Sequence, residues 1–433
     1  MKILLENGSY PLHNFGDIAM LQVTIDRFRE RWPEAHILVV TEEPKRLATY
    51  FPDVFPLNPM GRTELIKAGK LFGRFQRFLP GSGSAGLSTS EVQTWRRLPG
   101  LAESLLKLKT MRRNIDPDLA AIKAFLNAVF SADIVAASGG GYINDSFRHG
   151  ALQQLETFGI ANALGLPTAM FGQGIGPIQD AKLAAKVKAI LPSVDLIAIR
   201  EQRYGRTILS TIGVEPRKVI TTGDDAIELA YEARSEALGS GIGVNMRIAK
   251  YSQIDDDAVE VVSYCVNRAA DKLNAELIPL PISFAKGESD VRTLERLLAG
   301  NGRPNDGGRH LSRPTDVIRQ TGRCRMVVTS SYHPAVFALA QGIPVVAVAK
   351  SEYYVNKFEG LYDQFGGSCD IIRSGEASFK DGLGAAIDNA WNSASHVKAR
   401  LVNQAKRQYQ ASKGAYRHFF QIVDHRNQSP LIA

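Results

Sequence analysis

The sequence predicts an α/β protein made of two Rossmann-like domains facing a cleft. Three observations carry that expectation. Short β-rich runs alternate with segments whose apolar residues recur at helical spacing, the pattern of βαβ units and parallel sheets. The alternation stops at a polar stretch, EARSEALGSG at residues 232–241, and then restarts. The chain has 433 residues, too many for one ordinary core and enough for two or three domains.

In the first half, residues 2–7, 36–41, 133–138, 168–172, 196–200 and 219–222 read as strands, and 19–31, 152–164 and 181–191 as helices. After the linker, residues 241–246, 275–279, 326–330 and 345–349 read as strands of a second sheet. The expected domains are 1–235 and 236–382, with a C-terminal helical segment, 383–433, packing across both. Two segments break the rhythm. Residues 59–116 form a basic insertion, where LIKAGKLFGRFQRF and LLKLKTMRRN interleave cations with apolar residues. It reads either as a solvated surface insertion or as an amphipathic surface that touches anionic lipid or a lipid-linked substrate. Residues 298–314, LAGNGRPNDGGRHLSRP, read as a mobile loop placed to act as a lid.

Composition narrows the partners. The chain carries 52 Lys and Arg against 44 Asp and Glu, a net charge of +8, which favours anionic partners. The basic residues are dispersed and no nucleic-acid motif is present, so no nucleic-acid partner is expected. Cys265, Cys324 and Cys369 are scattered without C-x-x-C spacing, so neither a disulfide framework nor a zinc site is expected. No apolar run reaches the roughly 18 residues that span a bilayer. The start, MKILLENGSY, lacks the apolar core of a signal peptide, so a cytoplasmic protein is expected.

Ligands of open α/β sheets bind beyond the carboxyl ends of the strands, so functional residues should follow the strand runs. HNFGDIAML follows the first: Gly16 permits a tight turn, Asn14 stabilises the loop, and Asp17 either caps the next helix or meets a sugar hydroxyl. In SGGGYINDS, Gly139, Gly140 and Gly141 either bring amides to an anion at a helix start or serve tight packing. Asn144 and Asp145 lie one turn further on. FGQGIGP exposes backbone around Gln173 and Gly174. Arg200, in IAIREQRY, either grips a carboxylate or phosphate or pairs with Glu201. TTGDDA places Asp224 and Asp225 together, but a third metal ligand is lacking, so no metal is expected. In the second domain Asn245 and Arg247 follow a strand. Ser330, Ser331, Tyr332 and His333 then follow another, with His333 in the first turn of a helix. That setting disfavours a charged imidazole unless an anion lies nearby.

Taken in order, NFGDIAM, SGGGYINDS, GQGIGP, IAIRE, TTGDDAIEL and SSYHPAVFALAQGIPVVAVA resemble the polysaccharide pyruvyl transferase family across most of the chain. The resemblance implies a fold like that of the B-type glycosyltransferases. It implies transfer of a pyruvyl group from phosphoenolpyruvate to two hydroxyls of one sugar, giving a cyclic ketal and inorganic phosphate without a cofactor. The acceptor would be a cell-surface polysaccharide or its lipid-linked precursor, met at the inner face of the membrane. In many members the strand-end motif reads arginine, an apolar residue, then histidine. Here Ser331 and Tyr332 take the first two places and His333 is retained. With Ser331 uncharged, Arg200, Arg247 or Lys357 has to supply the positive charge for the donor. On this reading His333 is the general acid, Asp17 or Asp145 the base, and Ser330, Ser331 and Tyr332 hydrogen-bond donors, while Arg200 and the glycine-loop amides stabilise charge. The rival expectations are a nucleotide-sugar-dependent glycosyltransferase and a non-catalytic glycan-assembly protein.

Overall fold

The structure, a computed structural model, describes residues 1–72, 87–299 and 305–428. It is a mixed α/β protein with two parallel sheets. The first holds β1 (Lys2–Glu6), β2 (His36–Val40), β3 (Phe55–Leu57), β4 (Ile134–Ala137), β5 (Gly140–Ile143), β6 (Thr168–Ile175), β7 (Leu196–Ile199) and β8 (Val219–Thr221). The second holds β9 (Gly241–Asn245), β10 (Leu277–Pro279), β11 (Cys324–Thr329), β12 (Val345–Ala349) and β13 (Cys369–Arg373). IVAA in β4, LIAI in β7 and VVAVA in β12 are buried along their whole length. Continuous apolar runs of this kind suit a parallel sheet, which is covered on both faces.

The chain divides into two compact units. One comprises Met1–Leu12, Thr24–Thr221 and the chain from Ser412 onward; the other comprises His13–Val23 and Thr222–Ala411. The division falls inside two helices, Phe15–Arg31 and Phe379–Gln428.

In the first unit the strand order is β3-β2-β1-β4-β6-β7-β8, with β5 beside β6. The end of the C-terminal helix packs there through an aromatic cluster. Phe171 stacks on Tyr416 at 3.8 Å, Phe28 meets Tyr416 and Phe419 edge-on, and the Thr24 and Tyr416 hydroxyls lie 2.9 Å apart. The basic insertion is anchored by Arg62 in the helix Met60–Ala68. Its fully buried guanidinium pairs with Glu6 at the end of β1 and bonds Thr157 at 2.8 Å. Burial alone would lower the Arg62 pKa, but Glu6 and the Tyr10 hydroxyl hold it above the usual arginine value.

In the second unit the order is β10-β9-β11-β12-β13. The chain leaves β9 for β10 on one side and returns to β11 on the other. The loops after β9 and β11 therefore diverge at a topological switch point, where open α/β sheets bind ligands.

Three strands were not expected, each for a local reason. β3 reads FPL and contains Pro56, which belongs on an edge strand, where β3 lies. β13, CDIIR, is a half-buried edge with a charged start. β5 contains two of the three glycines read as a loop entering a helix; they pair with β6 instead, and the helix starts only at Arg148. Residues 73–86 of the basic insertion and 300–304 of the expected lid lie outside the described residues. Among the described residues no helix is long and apolar enough to cross a membrane.

Candidate active site

His333 is the centre of the second unit's switch point. It sits in the first turn of the helix Tyr332–Ala340, directly after β11, and is 8% exposed. The HNFGD loop belongs to the same unit and closes over the ring. A β-carbon added at Gly16 would stand 1.9 Å from His333 Nδ1, so only glycine lets the backbone approach this closely. On the other ring nitrogen, Asp224 Oδ2 lies 3.9 Å from His333 Nε2. Asp224 is itself fixed by the Ala226 amide, which donates to its Oδ1 at 2.9 Å. The TTGDDA motif thus sets a carboxylate beside the imidazole. Sequence reasoning had weighed Asp224 only as a metal ligand. Among the described residues no group of three His, Cys, Asp or Glu side chains is placed to hold a metal ion.

The Gly16 loop is held by a chain of hydrogen bonds. Asn14 caps the helix Phe15–Arg31, its Oδ1 accepting from the Gly16 amide at 2.9 Å and the Asp17 amide at 3.3 Å. Asn14 has taken the capping role considered for Asp17, leaving Asp17 in the first turn beside Gly16. The loop pairs with residues 282–284. The Phe15 amide donates to the Ile282 carbonyl at 2.9 Å, the Phe284 amide donates to the His13 carbonyl at 2.8 Å, and the Phe15 and Phe284 rings meet at 4.6 Å.

The strand-end residues Asn245 and Arg247, expected to bind substrate, instead hold this scaffold. Both bind Asp290, a fully buried carboxylate. Asn245 Nδ2 and Arg247 Nη2 each donate to its Oδ2 at 2.9 Å, as do the amides of Ile282 at 2.8 Å and Ser283 at 3.0 Å. Burial by itself would lower the Arg247 pKa, yet Asp290 raises it well above the ordinary value. Its charge is thus paired with that of Asp290. Asp290 was missed because its sequence setting, GESDV, looks like any acidic helix start. Ser330 joins the network, its Oγ accepting from the Arg247 amide at 2.7 Å.

Ser331 and Lys357 differ from these. Ser331 is the N-cap of the His333 helix, but its hydroxyl makes no capping bond. Thr329 Oγ1 organises the turn instead, accepting from the Ser331 amide at 2.9 Å. The Ser331 Oγ is buried with no hydrogen-bond partner among the described residues, a state that ordinarily costs about 1–3 kcal/mol. Lys357 Nζ lies 4.1 Å from the Tyr353 ring centre, 5.4 Å from Tyr354 and 5.6 Å from Tyr332, whose ring meets His333 edge-on. Lys357 is thus a cation near the helix start, set among aromatic faces that stabilise positive charge.

The remaining expected residues lie in the first unit. Gly140 has a packing role, since a β-carbon there would lie 1.7 Å from the Tyr142 ring, which folds back so that its hydroxyl donates to the Ser138 carbonyl at 2.7 Å. With Gly139 ahead of β5 and Gly141 inside it, the triplet does not open a helix, contrary to the anion-binding expectation. Asn144 accepts from the Phe147 amide at 3.1 Å and donates to the Gly141 carbonyl at 2.7 Å. Asp145 accepts from the amides of Gln179 at 2.7 Å and Asp180 at 3.1 Å. Its carboxylate braces a loop. Gln173 Nε2 donates to the Ser138 carbonyl at 2.8 Å, and Gly174 allows the buried Arg200 to lie against the backbone, where a β-carbon would be 2.7 Å from Nε.

Comparison with known proteins agrees with the order of these motifs. A family model described as polysaccharide pyruvyl transferase matches residues 14–352. No curated protein matches the sequence significantly. Among solved structures, UDP-GlcNAc 2-epimerase from Neisseria meningitidis bound to UDP-GlcNAc is similar at 11% identity and TM-score 0.53, covering 99% of this chain and 100% of that one. The S. aureus MnaA–UDP structure is similar at 13% identity and TM-score 0.54, covering 99% and 98%. The calicheamicin glycosyltransferase CalG4 aligns over 99% of each chain at 13% identity and TM-score 0.49. The likeness to the first two is one of fold.

Proposed function

The chain belongs to the polysaccharide pyruvyl transferase family, and we propose that it transfers a pyruvyl group from phosphoenolpyruvate to two hydroxyls of one sugar. The observation that carries this reading is the placement of His333 between Gly16 and Asp224. A carboxylate 3.9 Å from Nε2 stabilises positive charge on the ring, the form a proton donor needs.

The chemistry follows from phosphoenolpyruvate. His333 donates a proton to the methylene carbon, which becomes a methyl group, and C2 becomes oxocarbenium-like. A positioned general acid of this kind contributes roughly 10²–10⁴-fold. One sugar hydroxyl bonds to C2 and gives its proton to a carboxylate. We assign that role to Asp17, which follows Gly16 in the first turn of its helix and lies in the same unit as His333. The C2–O bond to phosphate breaks and the second hydroxyl closes the ketal. Asp17 passes the first hydroxyl proton to the departing phosphate, and the second hydroxyl's proton restores His333, so both side chains end as they began. Asp224 acts through His333 and is a positioning residue. Because Arg247 is neutralised by Asp290, we assign Lys357 to the donor's anionic groups and Ser331 to a hydrogen bond with it. The acceptor is a polysaccharide or its lipid-linked precursor, and the reaction is placed in the cytoplasm.

A second reading, a nucleotide-sugar-dependent glycosyltransferase, is favoured by one observation: Ser331 stands where many family members carry arginine. Calorimetric titration separates the two. On the pyruvyl-transfer reading phosphoenolpyruvate binds, and Lys357→Ala weakens it roughly ten- to hundredfold, the size of one lost hydrogen bond to a charged group. If phosphoenolpyruvate does not bind while a nucleotide sugar does, the second reading replaces the first.

A further inference from the structure

The helix Pro99–Met111 in the basic insertion has two faces of different character. Ala102, Leu106 and Thr110 are buried. On its outer side Leu101 is 50% exposed, Leu108 61% and Met111 75%, while Leu98, just ahead of the helix, is 56% exposed. Leu101 and Leu108 are seven residues apart and Met111 is three further on, so they line one side of the helix. Single exposed leucines are ordinary, but an aligned group marks an interaction surface.

Cations frame this stripe. Arg96 and Arg97 are exposed at the end of the preceding helix, Thr89–Arg97, and Lys107 and Arg112 are exposed alongside Leu108 and Met111. The acid in this helix, Glu103, is turned toward Lys123 at 2.9 Å. The outer side therefore combines apolar side chains with positive charge, and among the described residues Arg96, Arg97, Lys107 and Arg112 make no ion pair.

We propose that this face docks on an anionic lipid bilayer surface. The side chains of Leu101, Leu108 and Met111 enter the acyl boundary, and Arg96, Arg97, Lys107 and Arg112 meet lipid phosphates. Charge complementarity selects this occupant. A second copy joined through the same face would bring like charges together, which costs affinity. A bilayer with anionic headgroups offers both an apolar interior and a plane of negative charge. The proposal uses none of the residues assigned to the chemistry at His333, so its test needs no turnover and stands or falls independently of the pyruvyl-transfer reading.

The test is co-sedimentation of the full chain with vesicles of phosphatidylcholine alone and of phosphatidylcholine with one-third phosphatidylglycerol. Binding is expected only with phosphatidylglycerol, and it should weaken as salt is raised. Each of Arg96→Gln, Arg97→Gln, Lys107→Gln and Arg112→Gln should weaken it by roughly fivefold. Leu108→Glu with Met111→Glu should abolish it while leaving the thermal melt unchanged, because both side chains are exposed. The proposal is overturned by equal binding to neutral vesicles, by no binding, or by binding that these variants leave intact. It is also overturned if the wild type forms dimers that Leu108→Glu disperses, which would make the face a contact between copies.

Discussion

The Gly16 backbone lies against the His333 imidazole so closely that a β-carbon would stand 1.9 Å from Nδ1. Gly16→Ala must therefore displace the ring or the loop. The expected result is a fall in turnover on the order of a hundredfold, since a shift of about 1 Å at a reacting group has that effect. The far-ultraviolet circular dichroism should be unchanged. Unaltered turnover in a folded Gly16→Ala protein would remove the close approach from the mechanism.

Asp224 tests the electrostatic half of the same arrangement. Asp224→Asn keeps an oxygen for the Ala226 amide but removes the charge beside Nε2. The ring loses a charged neighbour while the loop contact is kept, so turnover should fall by roughly tenfold, the effect of about 1.4 kcal/mol of lost charge stabilisation, with an unchanged thermal melt. Turnover at the wild-type level in folded Asp224→Asn would show that Asp224 only supports the loop.

The Asp290 network predicts stability rather than catalysis. Arg247→Met leaves a fully buried carboxylate without its cation and should cost about 3–5 kcal/mol in urea denaturation. Adding Asp290→Asn should recover part of that loss, because the remaining oxygen can still accept from the Ile282 and Ser283 amides. Independent, additive losses would mean the two side chains are not coupled.

Ser331 separates capping from binding. An N-cap serine whose side chain bonds the helix loses about 0.5–2 kcal/mol on conversion to alanine, but the Ser331 hydroxyl makes no such bond. Ser331→Ala should leave the melting temperature nearly unchanged and weaken phosphoenolpyruvate binding by roughly two- to tenfold. A lowered melting temperature with unchanged affinity would assign the residue to the helix end.

The sequence made the frame of this site legible and left its wiring hidden, for physical reasons. Buried parallel strands such as VVAVA announce themselves by apolar continuity, and His333 could be placed at a strand's carboxyl end from that alone. Which side chains turn toward it could not be read. Asn245 and Arg247 follow a strand just as His333 does, yet they bind Asp290, a carboxylate 43 positions beyond Arg247. Asp224 was visible as one of two adjacent acids, but its proximity to a histidine more than a hundred positions away is a tertiary fact. The glycine triplet misled because glycine serves anion binding and close packing equally; the Tyr142 ring against Gly140 is what decided between them. The short edge strands β3 and β13 carry too little apolar pattern to stand out.

The central claim is that His333 donates the proton that opens phosphoenolpyruvate to attack. It is tested most directly by acceptor-dependent phosphate release from phosphoenolpyruvate, measured for wild type and His333→Gln alongside donor affinity. The account predicts that His333→Gln loses roughly 10²–10⁴-fold in rate while phosphoenolpyruvate still binds. Phosphate release by His333→Gln at the wild-type rate would contradict it.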